Sequence, residues 1–221
     1  MFLNILAVVL LAQATAAPEK GSAPNKSEQL SEQTLVRMVK GIQKGILTLP
    51  NYGVFDWITF SFDGYNVALK GYASRPTLKD SAERIAKGVE GVAAVDNRIE
   101  VLSLSPNDDR IRTEGYARIY GNGSLSRYNP NRGTPLYLSS TRLSMGLTQD
   151  PPIGYHPIHI IVQNGNIRLY GTVLNEADKA IAGMLANQVS GSFSIENNLA
   201  VEMADHRDAV GGSKASPKTE R

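Results

Sequence analysis

The chain has no cysteine among its 221 residues. That excludes disulfides, thiolate metal sites, cysteine nucleophiles and a lipid-bearing N-terminal cysteine. Nor does one sign of charge dominate: 23 basic residues against 21 acidic ones leave a net charge of +2. Nothing in that balance calls for a nucleic-acid partner. The patterns G-x-S-x-G, S-x-x-K, H-E-x-x-H and Walker A are missing, which removes the common signatures of nucleophilic, zinc and nucleotide chemistry. Gly121-Asn122-Gly123 begins like a dinucleotide loop, but it has no third glycine and follows no strand. His156 and His159 are the one close histidine pair. At spacing three on a strand they point to opposite faces and do not share an ion. No catalytic residue, metal or cofactor is expected.

One long apolar run is present, Phe2 to Ala12, shorter than the roughly 20 residues a membrane span needs. With Ala14-Thr15-Ala16 behind it, it reads as a secretory signal over residues 1–16, cleaved before Ala17. Export follows, to the periplasm or another envelope-associated location. Residues 17–30 hold Pro18, Gly21 and Pro24 and read as a flexible linker. Residues 205–221, with AVGGSKASPKTER, read as a disordered tail.

Between these ends the chain repeats itself. TFSFDGYNVALKGYA from Thr59 has a counterpart one hundred residues later in HIIVQNGNIRLYGTV from His159. Without a gap the offset preserves Ile58/Ile158, Asn66/Asn166, Leu69/Leu169, Gly71/Gly171, Ala82/Ala182, Ala86/Ala186, Val89/Val189, Gly91/Gly191, Asn97/Asn197 and Val101/Val201. Coincidence at glycine and core positions is the mark of duplication.

Each copy reads helix, strand, strand, helix, strand. In the first, Leu35, Val39, Ile42, Ile46 and Leu49 recur at helical spacing until Pro50. Arg37, Lys40 and Lys44 fall on another face and read as solvated surface. Ile58, Phe60 and Phe62 alternate, as do Val67 and Leu69, around the turn signal Asp63-Gly64. Pairing Phe60 or Phe62 with Val67 keeps the same face, so both registers stay open. In the second copy Asn164-Gly165 pairs Val162 with Ile167. Ser74 and Asn175 are candidate N-caps of the next helices, and Gly91 and Gly191 are placed to end them. A helix between the second and third strands makes those strands parallel. The expected fold is therefore α+β: two αββαβ units, each a three-stranded mixed sheet covered by two helices, at 31–104 and 105–204. About 70 residues make a thin core, so the two units should pack together.

Val67-Ala68-Leu69-Lys70-Gly71, an alanine-rich helix and Gly91-Val92-Ala93-Ala94-Val95-Asp96-Asn97, echoed by Ile167 to Gly171 and Gly191 to Asn197, resemble the BON domain. The whole resembles a tandem-BON exported protein of the osmotically inducible, periplasmic kind. The resemblance implies a non-catalytic envelope binding protein, associating with a phospholipid surface or an envelope component under osmotic or envelope stress. The alternative is an assembly protein that binds another envelope protein. It hands over no binding site. Gly71 and Gly171 read as structural, closing a strand where a side chain would block packing or meet a positive φ. Asn97 and Asn197 share parity with core residues, so their amides should satisfy loose backbone groups.

The copies differ after the first helix of the second unit, where residues 121–155 form an insertion. Connections of this length are usually functional or disordered. Between Gly115 and Tyr155 lie four arginines, one acid (Asp150) and five of the nine tyrosines. Arginine forks suit phosphate or carboxylate oxygens, and tyrosines suit a wet interface. Arg118, Tyr120, Arg127, Tyr128, Arg132, Tyr137 and Arg142 are therefore the candidate anion or lipid contacts. The competing reading is an insertion whose arginines pair with acids and whose tyrosines seal the two units.

Overall fold

The computed structural model describes residues 26–130 and 155–202. The expected signal segment, the tail, and Arg132, Tyr137 and Arg142 lie outside the described residues.

Two units appear, each with a three-stranded sheet and two helices. The first contains α1 (Lys26–Leu47), β1 (Trp57–Asp63), β2 (Asn66–Ala73), α2 (Pro76–Lys87) and β3 (Ala94–Val101). The second contains α3 (Pro106–Gly121), a 3-10 turn (Gly123–Tyr128), β4 (Ile158–Gln163), β5 (Asn166–Val173), α4 (Glu176–Asn187) and β6 (Ser194–Val201). The sheet orders are β1-β2-β3 and β4-β5-β6. In each, the hairpin is antiparallel and the helix-linked pair parallel, as a helical crossover demands. α1 begins at Lys26, inside the stretch read as a linker.

Both hairpins have the same register. Phe62 faces Val67 and Val162 faces Ile167. The central turn residues of the first are thus Gly64-Tyr65, one position beyond the Asp63-Gly64 signal. Gly64 and Asn164, at equivalent places, adopt φ of 58° and 52°.

The glycines at the strand corners also match. Gly71 and Gly171 have φ of 115° and 121°. A Cβ there would collide with the carbonyl oxygen of Trp57 or Pro157 on the neighbouring strand, so only glycine fits. Gly91 and Gly191 correct one expectation. The helices end earlier, at Lys87 and Asn187, with Gly88 and Gln188 capping in right-handed conformations. The two glycines make the positive-φ bend just before the last strand instead. Ser74 is likewise not a cap: Arg75 occupies the N-cap of α2 and makes no side-chain capping bond. Asn175 caps α4, accepting from the Asp178 amide at 2.8 Å.

Asn97 and Asn197 act as the parity argument requires. Their amides donate to Lys79 O at 3.1 Å and Lys179 O at 2.8 Å. Their Oδ1 atoms accept from the Ile99 and Leu199 amides, so each asparagine ties the last strand to the helix above it.

Met38, Ile42 and Ile46 of α1 are buried. Gly41 and Gly45 lie against Val89 and Ile85, which lets α1 pack closely on the second helix. Gly115, costly in mid-helix, is buried against Ile160 and Val189 in the same manner. The weak apolar stripe of α3 also has a cause. Asp108 and Arg112 point inward, Asp108 accepting from the turn amides of Asn164 (2.9 Å) and Gly165 (2.8 Å), and Arg112 donating to Val162 O (2.6 Å).

The units share a core. Val54 and Phe55, just before β1, join the buried cluster of Ile119, Ile158 and Leu169 in the second unit. Val54 O accepts from the Ile160 amide at 2.8 Å, a single bond on the open edge of β4. Side chains on the helix-free sides of the two sheets also meet. Trp57 stacks on Tyr170 (5.6 Å, 5°), Tyr72 on Tyr170 (6.2 Å), and Arg168 lies 5.6 Å over the Tyr72 ring.

Candidate functional site

The two described tyrosines of the candidate set, Tyr120 at the end of α3 and Tyr128 in the insertion, point inward. Tyr120 is buried, donates to Ile158 O at 2.6 Å and accepts from the Ile158 amide at 3.1 Å. Burial drives its hydroxyl well above the usual phenol range. Tyr128 is also buried. It donates to Asp178 Oδ2 at 2.6 Å and accepts from the Leu174 amide at 2.8 Å. Burial, then the bond to Asp178, pushes its pKa up to about 12. Neither ring offers a face to a ligand.

The two described arginines of the candidate set, Arg118 and Arg127, have acid partners and remain partly exposed. Arg118 pairs with Glu114 at 2.8 Å and reaches Gln188 at 3.4 Å. Burial opposes the Glu114 charge, but Arg118, the Ser190 amide and Arg110 outweigh it and lower the carboxyl pKa. Arg127 pairs with Asp178 at 3.3 Å. One of these two arginines stands beside each end of α4.

Asp178 is a functional-looking residue that periodicity overlooks. Its counterpart one hundred residues earlier is Leu78, and the structure buries both to 2% exposure. A carboxylate in that place needs partners, and Tyr128, Arg127 and Asn175's helix cap surround it. A second exchange accompanies it. In the first unit the Ser74 amide donates to Asp56 Oδ1 at 2.6 Å, and the Gly53 amide to Asp56 Oδ2 at 2.9 Å. His156 replaces Asp56 in the second unit, and there the equivalent amide, that of Leu174, is served by Tyr128. Aligning the repeats exposes both exchanges, but only structure shows that residues from the insertion complete them.

The outward face of α4 differs most from its twin. α2 presents Thr77, Asp80, Arg84 and Lys87 to solvent; α4 presents Ala177, Ala180, Met184 and Asn187 at the same positions. Ser81 becomes Ile181, Glu83 becomes Gly183, and Ser74 before the helix becomes Leu174. Leu174 and Met184 are 48% and 59% exposed. The charges at Asp80, Glu83, Arg84 and Lys87 are gone, while Lys179 keeps the place of Lys79 and Glu176 adds an exposed carboxylate in the first turn; Arg127 and Arg118 stand at either end of the helix.

A separate cleft of about 260 Å³ lies where the units join, lined by Leu47, Tyr52, Gly53, Tyr155, His156 and His159. His159 is buried with Nδ1 3.3 Å from Gly53 O, against the rings of Tyr52 and Trp57. Burial, then the neighbouring His156, lowers its pKa to about 4. Among the described residues no group of three His, Cys, Asp or Glu could hold a metal ion, and no helix is long and apolar enough to cross a membrane.

The BON-domain family model matches residues 59–103 and again 141–203. Osmotically-inducible protein Y of Escherichia coli (strain K12) is 25% identical over 142 residues, which are 64% of this chain and 60% of that protein. The match thus spans less than two thirds of the relative's length. Among solved structures, the C-terminal domain of CdsD, a structural protein of the type III secretion system of Chlamydia trachomatis, covers 76% of this chain and 98% of its own at 15% identity, with a TM-score of 0.24. A second CdsD structure gives the same score at 17% identity, with 76% of this chain and 93% of that one covered. A score of 0.24 is too low to carry a comparison of architecture.

Proposed function

This chain belongs to the BON-domain family, with one copy of the domain in each unit, and on that premise we propose that it is a non-catalytic envelope protein of the periplasm that docks on anionic phospholipid surfaces. The relation to an osmotically inducible protein supports a role in osmotic or envelope stress.

The observation that carries the reading is the outward face of α4. α4 keeps Ala182 and Ala186 at the buried places of Ala82 and Ala86, while Asp80, Glu83, Arg84 and Lys87 give way to Ala180, Gly183, Met184 and Asn187, an exchange that suits an exposed side with another contact to make. Met184 and Leu174 suit the acyl boundary of a bilayer, while Arg127 and Arg118 at the two ends suit the headgroup phosphates. On this reading Arg118 and Arg127 are the anion contacts, and Tyr120 and Tyr128 support the frame behind them.

Co-sedimentation with phosphatidylglycerol-containing vesicles and with pure phosphatidylcholine vesicles, over a salt series, tests this. Binding should favour the anionic vesicles and weaken with salt, since exposed cations act within a Debye length of about 10 Å at 0.1 M. Ala180→Asp with Met184→Glu should weaken it at least ten-fold without unfolding, because α2 already carries charges at both places. Equal sedimentation with neutral vesicles at every salt, or full binding by the double variant, would refute the proposal.

A further inference from the structure

Alternate residues of β4 turn their backbone groups away from β5, and those groups are occupied. The Tyr120 hydroxyl serves both the N–H and the C=O of Ile158. The Ile160 amide donates to Val54 O, and Val162 O accepts from Arg112. β1 has the same register against β2, so Ile58, Phe60 and Phe62 face outward there. Only the Ile58 amide is served, by the Tyr52 hydroxyl at 3.4 Å. The outward N–H and C=O groups of Phe60 and Phe62 have no partner among the described residues. The last strands are better guarded. The Leu102 and Glu202 amides donate inward, to Ala73 O and Val173 O, so by alternation the Ile99 and Leu199 amides face outward. Asn97 and Asn197 accept from them. β1 is thus the barest edge of the two sheets, and a bare edge is a template for another strand.

We infer that β1 pairs antiparallel with β1 of a second copy of this chain, joining two first-unit sheets into one continuous sheet. The strand is complementary to itself about Phe60. A two-fold axis there sets Phe60 against its own equivalent, Ile58 against Phe62 of the other copy, and Thr59 against Ser61 of the other copy. One face then carries an aromatic pair flanked by aromatic–branched pairs, and the other carries matched hydroxyls. These are the pairings that stabilise antiparallel neighbours. No like charges are opposed, since the one charged residue of the strand, Asp63, meets Trp57. Ile58, Phe60 and Phe62 become the hydrogen-bonded positions, and Thr59 and Ser61 the closer, non-bonded ones. The contact is isologous and closed, so assembly stops at a dimer. It is independent of the α4 reading.

Sedimentation velocity of the purified full chain over a concentration series provides the test, and should show a monomer–dimer equilibrium. Thr59→Lys/Ser61→Lys sets lysine against lysine twice across the axis and should raise the dissociation constant at least about ten-fold. Thr59→Lys/Ser61→Glu sets opposite charges there and should restore the dimer. Both positions lie on the helix-free side of the sheet, so circular dichroism should be unchanged. The chain has no cysteine of its own, which permits a second measurement on a less disruptive variant. Thr59→Cys/Ser61→Cys should form a disulfide-linked dimer on mild oxidation, read on a non-reducing gel, and neither single cysteine should do so as readily. A wild-type chain that stays monomeric throughout overturns the proposal. So does a Lys/Lys variant that dimerises like wild type, a Lys/Glu variant as weak as Lys/Lys, or a double-cysteine chain that does not cross-link.

Discussion

Tyr128 and Asp178 are joined by a 2.6 Å hydrogen bond at a place where the first unit has only Leu78. The bond holds the start of the insertion against α4 and neutralises a polar group set among apolar neighbours. Removing one partner of such a pair costs far more than removing both. Tyr128→Phe leaves the Asp178 carboxylate short of a donor and the Leu174 amide without its acceptor, and should destabilise the second unit by about 2–3 kcal/mol. Adding Asp178→Leu should restore most of that, short of about 1 kcal/mol for the amide. Urea unfolding of both variants decides the matter; additive losses would contradict the coupling.

The glycines permit a graded test of backbone strain. Gly64 has a positive φ with nothing near a prospective Cβ, whereas Gly71 combines positive φ with a carbonyl oxygen in the way. Gly64→Ala should cost about 1 kcal/mol, the ordinary left-handed penalty. Gly71→Ala and Gly171→Ala should each cost about 3 kcal/mol or more, since backbone must shift. Thermal unfolding that ranks the three alike would show that the collision at the strand corner is relieved cheaply.

Acid should weaken the junction. His159 is held to about 4 against an ordinary 6.5, by burial first and then by His156. Between those values the unfolded chain takes up a proton that the folded one refuses. The contribution is therefore complete above pH 6.5 and disappears as pH falls toward 4, up to about 3 kcal/mol. Asp56, raised chiefly by burial, acts in the opposite sense, so the informative quantity is the difference from His159→Gln. That variant should lose less stability between pH 7 and 4.5 than wild type. Trp57 is the single tryptophan, 5.1 Å from His159, and its emission should follow the same transition. Parallel pH slopes for the two proteins would count against the assignment.

Local rules explain why much of this fold can be read from residue order. Gly71/Gly171 and Asn97/Asn197 recur because each satisfies a demand made by its own unit: a backbone conformation, or a loose carbonyl on the helix above. The sharper departures are long-range. Nothing in the periodicity near Val54 and Phe55 indicates that they complete the other unit's core. Tyr128 looks like an interfacial aromatic until Asp178, fifty residues on, receives its hydroxyl. Gly91 and Gly191 misled for a subtler reason. A positive-φ glycine soon after a helix suggests a cap, but here the chain makes one further turn before using it. The α4 face was legible in principle: setting Asp80 and Arg84 beside Ala180 and Met184 requires only the repeat alignment. Periodicity attends to buried positions, and the difference lies on the exposed ones.

The lending of Val54 and Phe55 to the second unit makes the duplication asymmetric in its consequences. Severing the chain near Ser105 would leave the later half with a hollow beside Ile119 and Ile158, and the earlier half with two apolar side chains in water. Neither half is a spare of the other, and an ancestor that carried one copy must have closed that gap with residues of its own.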